Sequence, residues 1–244
     1  MNVPVLKTIF GLLFASSVVA QDGNAVSVKS ETASSPDFGS TPASIEIRQM
    51  KQWVIDTGDN GDNGDNGRLP FILVDKVNAS VYVFNSTGKL QGMTAALLGL
   101  ARGDYSPPDI GNRSLSEIAA QDRITPAGRF VSSLSYDMND KQILVVDDAQ
   151  SLSLHPVARG TPAERRAERL QSGTPLDNRI SFGCINVPVQ FFKNVVSPTF
   201  TRTNGIVYIL PETSPLQTLF GIGKLRQKRA EVRPTWASPL SRTL

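Results

Sequence analysis

One cysteine and one histidine are the residues of this sequence whose types could carry out chemistry together. Cys184 lies in the stretch RISFGCINVP and His155 lies in SLSLHPVARG, and each is the only residue of its type in the chain. A cysteine becomes a strong nucleophile when a nearby base takes its proton, and histidine is a common base. An unpaired cysteine is also often a small buried packing residue. The two residues therefore predict either a nucleophile with its base or a buried thiol beside an unrelated histidine.

The residues around the pair indicate how each side chain could be activated. Cys184 lies four residues before Pro188, which is suited to the start of a helix, and the partial positive charge of a helix N-terminus favours a thiolate. Gly183 allows a tight turn, so that the N–H groups of Gly183 and Cys184 could together form an oxyanion hole. The carbonyl group of Pro156 could accept a hydrogen bond from the His155 ring and fix its tautomer.

The elements that must position these residues are mainly short strands. Short apolar segments recur between clusters of Gly, Pro, Asn and Asp, a pattern that favours a β-sandwich or barrel over a βαβ protein. The predicted strands are FILVD, ASVYVF, RFVSSLSY, ILVVD, SLSL and IVYIL. Two helices are predicted over residues 161–173 and 188–196, the first from a capping box of Thr161 and Glu164 with Pro162 at its first position. Residues 45–55 are expected to form a short helix or strand.

Three segments together resemble the bacterial L,D-transpeptidase family. SFGCIN resembles its Ser/Thr-His-Gly-Cys catalytic motif, ITPAGRF resembles its Thr-Pro-x-Gly-x-Phe segment, and LPFILVDKVNASVYVFNSTGKL resembles its opening hairpin. His155 matches the upstream histidine of the family, and the resemblance covers residues 68–213. The sequence departs from the family at Phe182, which replaces the motif histidine, at Pro156, and in the long interval between His155 and Ser181.

The resemblance implies a mainly β, L,D-transpeptidase-like β-sandwich with one or two short helices near the cysteine. It implies cysteine-dependent acyl transfer on the stem peptides of peptidoglycan, without a metal or other cofactor. The catalytic residues that it implies are Cys184 as nucleophile, His155 as base, the Pro156 carbonyl and the N–H of Gly183. We expect the substrate-side residues to be Ser181, Phe182, Arg179 and Asn186, with Ser181 also supporting the turn.

Two alternatives use the same residues differently. An L,D-carboxypeptidase or amidase would pass the acyl group to water instead of an amine. A wall-binding module that has lost activity would keep the fold, and Phe182 favours this alternative, whereas the presence of both His155 and Cys184 argues against it.

The remaining segments predict export and a central domain. Residues 1–20 have the charge and apolar pattern of a secretory signal peptide, which predicts a protein exported to the periplasm or cell envelope, with no transmembrane span after cleavage. Residues 21–67, which end in GDNGDNGDNG, are predicted to be a flexible linker, and residues 214–244 a basic tail. A formal net charge of +3 does not favour nucleic acid as a partner. The oligomeric state is left open.

Overall fold

Short strands dominate the part of the chain that the computed structural model describes, residues 38–56 and 64–222. The described strands are β1 (Phe71–Asp75), β2 (Ser80–Phe84), β3 (Leu90–Ala95), β4 (Leu98–Gly99), β5 (Gly128–Tyr136), β6 (Gln142–Asp147), β7 (Leu152–Pro156), β8 (Arg179–Ser181), β9 (Ile185–Val187) and β10 (Gly205–Ile209). The described α-helices are α1 (Ile45–Asp56), α2 (Arg166–Arg169), α3 (Val189–Phe191), α4 (Ser197–Phe200) and α5 (Leu216–Phe220). The predicted mainly β class with short helices is confirmed.

Eight of these strands form one mixed sheet, in the order β3-β2-β1-β10-β5-β6-β7-β9, and β4 pairs with β8 separately. The long strand β5 joins the two halves, because its residues 128–132 pair with β10 and its residues 133–136 pair with β6. Side chains from both halves meet in one core cluster, for example Ile72 of β1 and Leu154 of β7. The sheet therefore folds over on itself, which gives the layers expected of a sandwich.

A second core cluster lies on the opposite face of β1, β2 and β10, where α1 covers the sheet. Ile47, Met50 and Val54 of α1 are fully buried, and their spacing places them on one face of a helix. Ser44 begins this helix by accepting a hydrogen bond from the N–H of Ile47 at 3.2 Å. Because both faces of β1 are covered, its first four residues, FILV, are all apolar and do not alternate with polar ones.

Helix α1 lies outside the predicted limits of the domain. The predicted linker, residues 21–67, includes α1 and the turn at residues 64–67, and that turn is tied to the sheet by Asp65, which accepts hydrogen bonds from Arg129 and Tyr208. The predicted tail likewise begins with α5, whose Leu216 is buried. Residues 38–56 and 64–67 of the predicted linker therefore pack on the sheet, and the short helix or strand expected at residues 45–55 is present as α1. Three predicted segments lie outside the described residues: the signal peptide, residues 57–63 of the linker and residues 223–244 of the tail.

The predicted helix at residues 161–173 is broken into two short pieces. The capping box of Thr161 and Glu164 is present, but it begins only a 3-10 turn, Pro162–Glu164. Arg165 then adopts a left-handed conformation with φ of 48°, and α2 follows for four residues. Neither piece has a buried residue, so no packed face sustains a longer helix.

The predicted helix at residues 188–196 is confirmed and extends further. α3 continues through a π-helix, Phe192–Val196, into α4. Among the described residues, no helix combines the length and the apolar character that crossing a bilayer requires.

Candidate active site

The cysteine and the histidine lie on two neighbouring strands. β7 and β9 are parallel, with Leu154 opposite Ile185 and His155 opposite Asn186. Leu154 and Ile185 point into the core, and because side chains alternate along a strand, His155 and Asn186 point to the other face. Cys184, one residue before β9, is on that same side and near enough to His155 for each group to shift the pKa of the other. The structure therefore brings the predicted pair together.

The thiol of Cys184 is partly buried among polar groups of the segment that leads to His155. The hydroxyl group of Ser153 donates to Cys184 Sγ at 3.6 Å, and Sγ lies 3.5 Å from the carbonyl oxygen of Ser151. Burial acts to raise the pKa of the thiol, but the hydrogen bond and the charge of His155, together with donors from Ser153, outweigh it and lower the pKa. The site therefore favours the thiolate, which is the nucleophilic form.

The imidazole of His155 is held at both nitrogens. Nδ1 lies 2.9 Å from the carbonyl oxygen of Pro156, and Nε2 lies 3.3 Å from Nδ2 of Asn186. Burial acts to lower the pKa of His155, whereas Cys184 and the Pro156 carbonyl raise it and the charge of Arg166 lowers it, with a net rise. The shifts of the thiol and the imidazole have opposite signs, as expected when a proton moves from one group to the other.

The source of thiolate stabilisation differs from the sequence-based prediction. Strand β9 lies between Cys184 and the first residue of α3, so Cys184 is not at a helix N-terminus, and that prediction is wrong. The apolar residues Ile185 and Val187 are buried as a strand in the core, which explains why the chain does not turn into a helix directly after the cysteine. His155 and Ser153 take the role expected of the helix.

The turn before Cys184 is closed by Ser181. Its hydroxyl group donates to the carbonyl oxygen of Cys184 at 2.6 Å and accepts from the N–H of Gly183 at 3.1 Å. Gly183 has φ of 137°, and a Cβ there would lie 2.8 Å from the carbonyl oxygen of Ile124, so only glycine fits. Because the N–H of Gly183 is bonded to Ser181, it could serve an oxyanion hole only if that bond broke, and its expected role stays a prediction. The N–H of Cys184 has no hydrogen-bond acceptor in the described part of the chain.

Thr125 fixes this turn and was not identified from the sequence as a site residue. Its buried hydroxyl group donates to the carbonyl oxygen of Gly183 at 2.7 Å and accepts from the N–H of Gly99 at 2.8 Å. Thr125 lies in the ITPAGRF segment, and the resemblance of that segment to the family could have identified it. The segment is thus connected to the cysteine turn through one side chain.

Arg179 belongs to a buried ion network. Its guanidinium donates to Glu212 at 2.6 Å and to the carbonyl oxygen of Lys76 at 2.6 Å. Lys76 in turn donates to Asp104 at 2.9 Å and to the carbonyl oxygen of Thr125 at 3.0 Å. These bonds occupy the guanidinium inside the protein, and the expected contact of Arg179 with a substrate stays a prediction.

The other two predicted substrate residues have different surroundings. Phe182 is partly exposed, and the guanidinium of Arg123 lies 4.0 Å from the centre of its ring, a cation–π contact. Asn186 is 1% exposed, and its amide contacts His155, Cys184 and Arg166. Asn186 is therefore an internal link of the site, whereas Phe182 keeps an accessible face, and the expected substrate contacts of both residues stay predictions.

Metal binding has no support from the arrangement of ligands. Within residues 38–56 and 64–222, no group of three or more His, Cys, Asp and Glu side chains could hold an ion. The chemistry that the site residues can perform is nucleophilic attack by Cys184 with His155 as the proton acceptor.

Comparisons with known proteins give structural similarities at low identity. No family profile matches the chain, and no curated protein sequence matches it. The helical cell shape determining protein Pgp2 from Campylobacter jejuni is similar in structure, with 14% identity and a TM-score of 0.38 over 60% of this chain and 49% of that one. The catalytic domain of the E. faecium L,D-transpeptidase is similar with 18% identity and a TM-score of 0.34, over 58% of this chain and 96% of that domain. The chain thus spans about half the length of Pgp2, and similarities this weak do not assign a function.

Proposed function

We propose that the described domain is a cysteine acyltransferase that acts on peptidoglycan stem peptides through an acyl-enzyme on Cys184. The observation that carries the proposal is the meeting of Cys184 and His155 on one face of β7 and β9, with the pKa of the thiol lowered and that of the imidazole raised. The substrate class rests on the resemblance of SFGCIN and ITPAGRF to the L,D-transpeptidase family. The proposal joins these two independent supports.

The first half of the proposed reaction forms a thioester. His155 takes the proton of Cys184, and the sulfur attacks the carbonyl carbon of an L,D-configured peptide bond. The carbon–nitrogen bond breaks, and His155 returns the proton to the leaving amine, the terminal D-alanine. The Pro156 carbonyl accepts from Nδ1 and so leaves Nε2 to exchange the proton.

The second half releases the acyl group. An amine of another stem peptide attacks the thioester and gives its proton to His155, the carbon–sulfur bond breaks, and the proton passes to the sulfur. Water in place of the amine would make the same site an L,D-carboxypeptidase or amidase. The available donor for the oxyanion is the N–H of Cys184, because that of Gly183 is bonded to Ser181.

A wall-binding module without activity is the second candidate, and one observation favours it. The residue at the position of the family histidine, Phe182, packs beneath Arg123, and the N–H of Gly183 is bonded to Ser181. A site in this condition could bind a stem peptide without cleaving it.

Intact-mass analysis after exposure to a carbapenem or to a peptide acyl donor separates the candidates. An acyltransferase or hydrolase gains the mass of one acyl group, and the gain disappears in Cys184→Ala. Added amine acceptor then distinguishes transfer from hydrolysis by the product formed. Binding to peptidoglycan without any mass gain would support the module and end the enzyme proposal.

The proposed substrate places the protein in the cell envelope. The predicted signal peptide, residues 1–20, agrees with this location. N-terminal sequencing of the mature protein is expected to begin near Gln21, and a chain that retains MNVPVLK would contradict export by cleavage.

A further inference from the structure

The segment between His155 and Ser181 reaches the site through Arg166. The guanidinium Nη1 donates to Oδ1 of Asn186 at 2.9 Å, and Nε donates to the carboxylate of Glu164 at 2.9 Å. The side chain of Arg166 is 13% exposed. Of the other arginines of the segment, Arg165 pairs with Glu168, Arg169 donates to backbone carbonyl oxygens, and Arg179 donates to Glu212 and Lys76. Arg166 differs from these three because it contacts a site residue.

The contact fixes the orientation of the Asn186 amide. A guanidinium has only donors, so it must face the oxygen of the amide, and the NH₂ group then faces the opposite way. That NH₂ group lies 3.3 Å from Nε2 of His155 and 3.2 Å from the carbonyl oxygen of Cys184. Because an NH₂ group can only donate in these contacts, Nε2 must be the acceptor, and the ring proton must be on Nδ1, where it donates to Pro156.

We propose that Arg166 is a positioning residue: by holding the Asn186 amide with its NH₂ group toward His155, it adds to the Pro156 carbonyl in keeping the imidazole protonated at Nδ1 and unprotonated at Nε2, the form that can accept the proton of Cys184. The catalytic role of Arg166 rests on the proposed function. The tautomer of His155, which is the test, can be measured whether or not the protein is an enzyme. It gives the segment that departs from the family a definite role. The role acts through Asn186, since Arg166 itself does not contact the reacting atoms.

The charge of Arg166 acts in the same direction as its hydrogen bond. The charged or titratable groups that act on the imidazole are Cys184, from the turn before β9, and Arg166, while Glu164 pairs with that arginine from the adjacent 3-10 turn. Arg166 lowers the pKa of His155, and an NH₂ group facing Nε2 also disfavours a proton there. Both effects oppose the net rise in the pKa of His155 and so favour the neutral imidazole, the form that can act as a base.

Nitrogen-15 NMR of the imidazole tests the proposal directly, because His155 is the only histidine in the chain. Histidine-labelled full-length protein is compared with Arg166→Met, Arg166→Lys and the matched control Arg165→Met. Each is also prepared with Cys184→Ala, so that the thiol does not titrate. Arg165→Met removes an ion-paired arginine from the same segment without touching Asn186.

The expected result is a ring protonated at Nδ1 in the parent protein and in Arg165→Met. In Arg166→Met the Pro156 carbonyl still accepts from Nδ1, so we expect a minor share of the Nε2-protonated tautomer to appear, together with a rise in the pKa of His155. Arg166→Lys keeps a charge and a donor and is expected to restore the Nδ1 form at least in part. In the proteins that retain Cys184, acylation by Arg166→Met should slow by roughly tenfold or more, since general-base catalysis contributes about 10²–10⁴-fold.

An unchanged tautomer in folded Arg166→Met would overturn the proposal, and so would an equal effect of Arg165→Met. If the proposed function is wrong, the parent protein is not acylated at all. The tautomer of His155 could still change in the Arg166 variants, so the two failures are distinguishable. Far-UV circular dichroism identifies variants that fail to fold, and Arg166→Lys then carries the comparison.

Discussion

At the scale of single residues, the reactivity of Cys184 depends on a balance between burial and its neighbours. Burial alone would raise the pKa of the thiol, and the hydrogen bond and charge of His155 reverse the sign. A packing cysteine and a nucleophile therefore differ in the direction of one measurable quantity. Because the chain contains a single cysteine, any alkylated product reports on this site.

We expect the alkylation rate of Cys184 to rise with pH around a midpoint below that of a free thiol, which is about 8.5. In His155→Ala the midpoint should move up, because burial remains while the group that favours the thiolate is lost. Rates with iodoacetamide, followed by intact mass across pH, measure both midpoints. The same protein unfolded in denaturant provides the free-thiol reference, and a folded midpoint at or above that reference would contradict the nucleophile assignment.

Thr125→Val should destabilise the protein and displace the cysteine turn. The variant keeps the shape of the side chain but leaves the carbonyl oxygen of Gly183 and the N–H of Gly99 without their partner, at a cost of about 1–3 kcal/mol for each buried group. Urea denaturation measures the loss, and the alkylation rate of Cys184 reports the displacement. Thr201→Val, at an exposed threonine with a local bond to Ser197, is expected to change neither quantity much.

At the scale of elements, the sequence predicts a strand well where the apolar segment is long and poorly where the strand has only a few residues. The predicted strands that correspond to β1, β2, β5, β6, β7 and β10 are present because branched and aromatic residues bury there. β3, β4, β8 and β9 were missed. β8 and β9 have three residues each, and their pairing is decided by partners far along the chain.

The candidate site shows the same division. Cys184, His155 and the Pro156 carbonyl could be identified from residue types and spacing, because the chain offers no second candidate of the first two types. Arg166 and Thr125 act through partners that only the fold supplies: Asn186 across the sheet and Gly183 beyond a turn. Arg179 was assigned to the substrate side because it lies beside the motif. The sequence does not reveal its ion partner Glu212, which is 33 residues away.

Helix α1 should prove to be a structural element and not a linker. Ile47→Ala is expected to lower the free energy of unfolding by about 2–5 kcal/mol, as large-to-small changes in a core do. Ile45→Ala on the same helix removes the same atoms from a side chain that is 69% exposed, and is expected to cost within about 0.5 kcal/mol. Thermal or urea denaturation compares the two. Equal, small effects would mean that α1 does not pack on the sheet in solution.

At the scale of the whole molecule, two cores on opposite faces of one sheet set the limits of the folded unit. The second core draws on Phe38 and α1 before the sheet and on Leu216 after it. A fragment cut at the family-like limits, residues 68–213, would expose the aromatic face formed by Phe71, Phe84 and Tyr208. Exposed apolar surface of this kind promotes association.

We therefore expect a fragment of residues 38–222 to be soluble and to unfold cooperatively, and a fragment of residues 68–213 to have a lower melting temperature or to aggregate. Calorimetry and size-exclusion chromatography compare the two. Limited proteolysis of the full chain should leave residues 38–56 attached to the product. A shorter fragment as stable as the longer one would restore the original limits.

The position of β10 in the sheet has a consequence for how the chain reaches its native state. β10 is the last strand of the described residues, yet it lies between β1 and β5, with Phe71 opposite Ile206 and Val131 opposite the same residue. Pairings between such distant positions form slowly, since a long loop must close before any contact compensates for its entropy. Until residues 205–209 have been synthesised, β1 and β5 each present an unpaired edge, which is the usual starting point for intermolecular strand pairing. A chain that ends before β10 therefore leaves the edges of β1 and β5 unpaired and does not form a smaller version of this domain. Synthesis must run almost to the end of the described chain before the sheet can close.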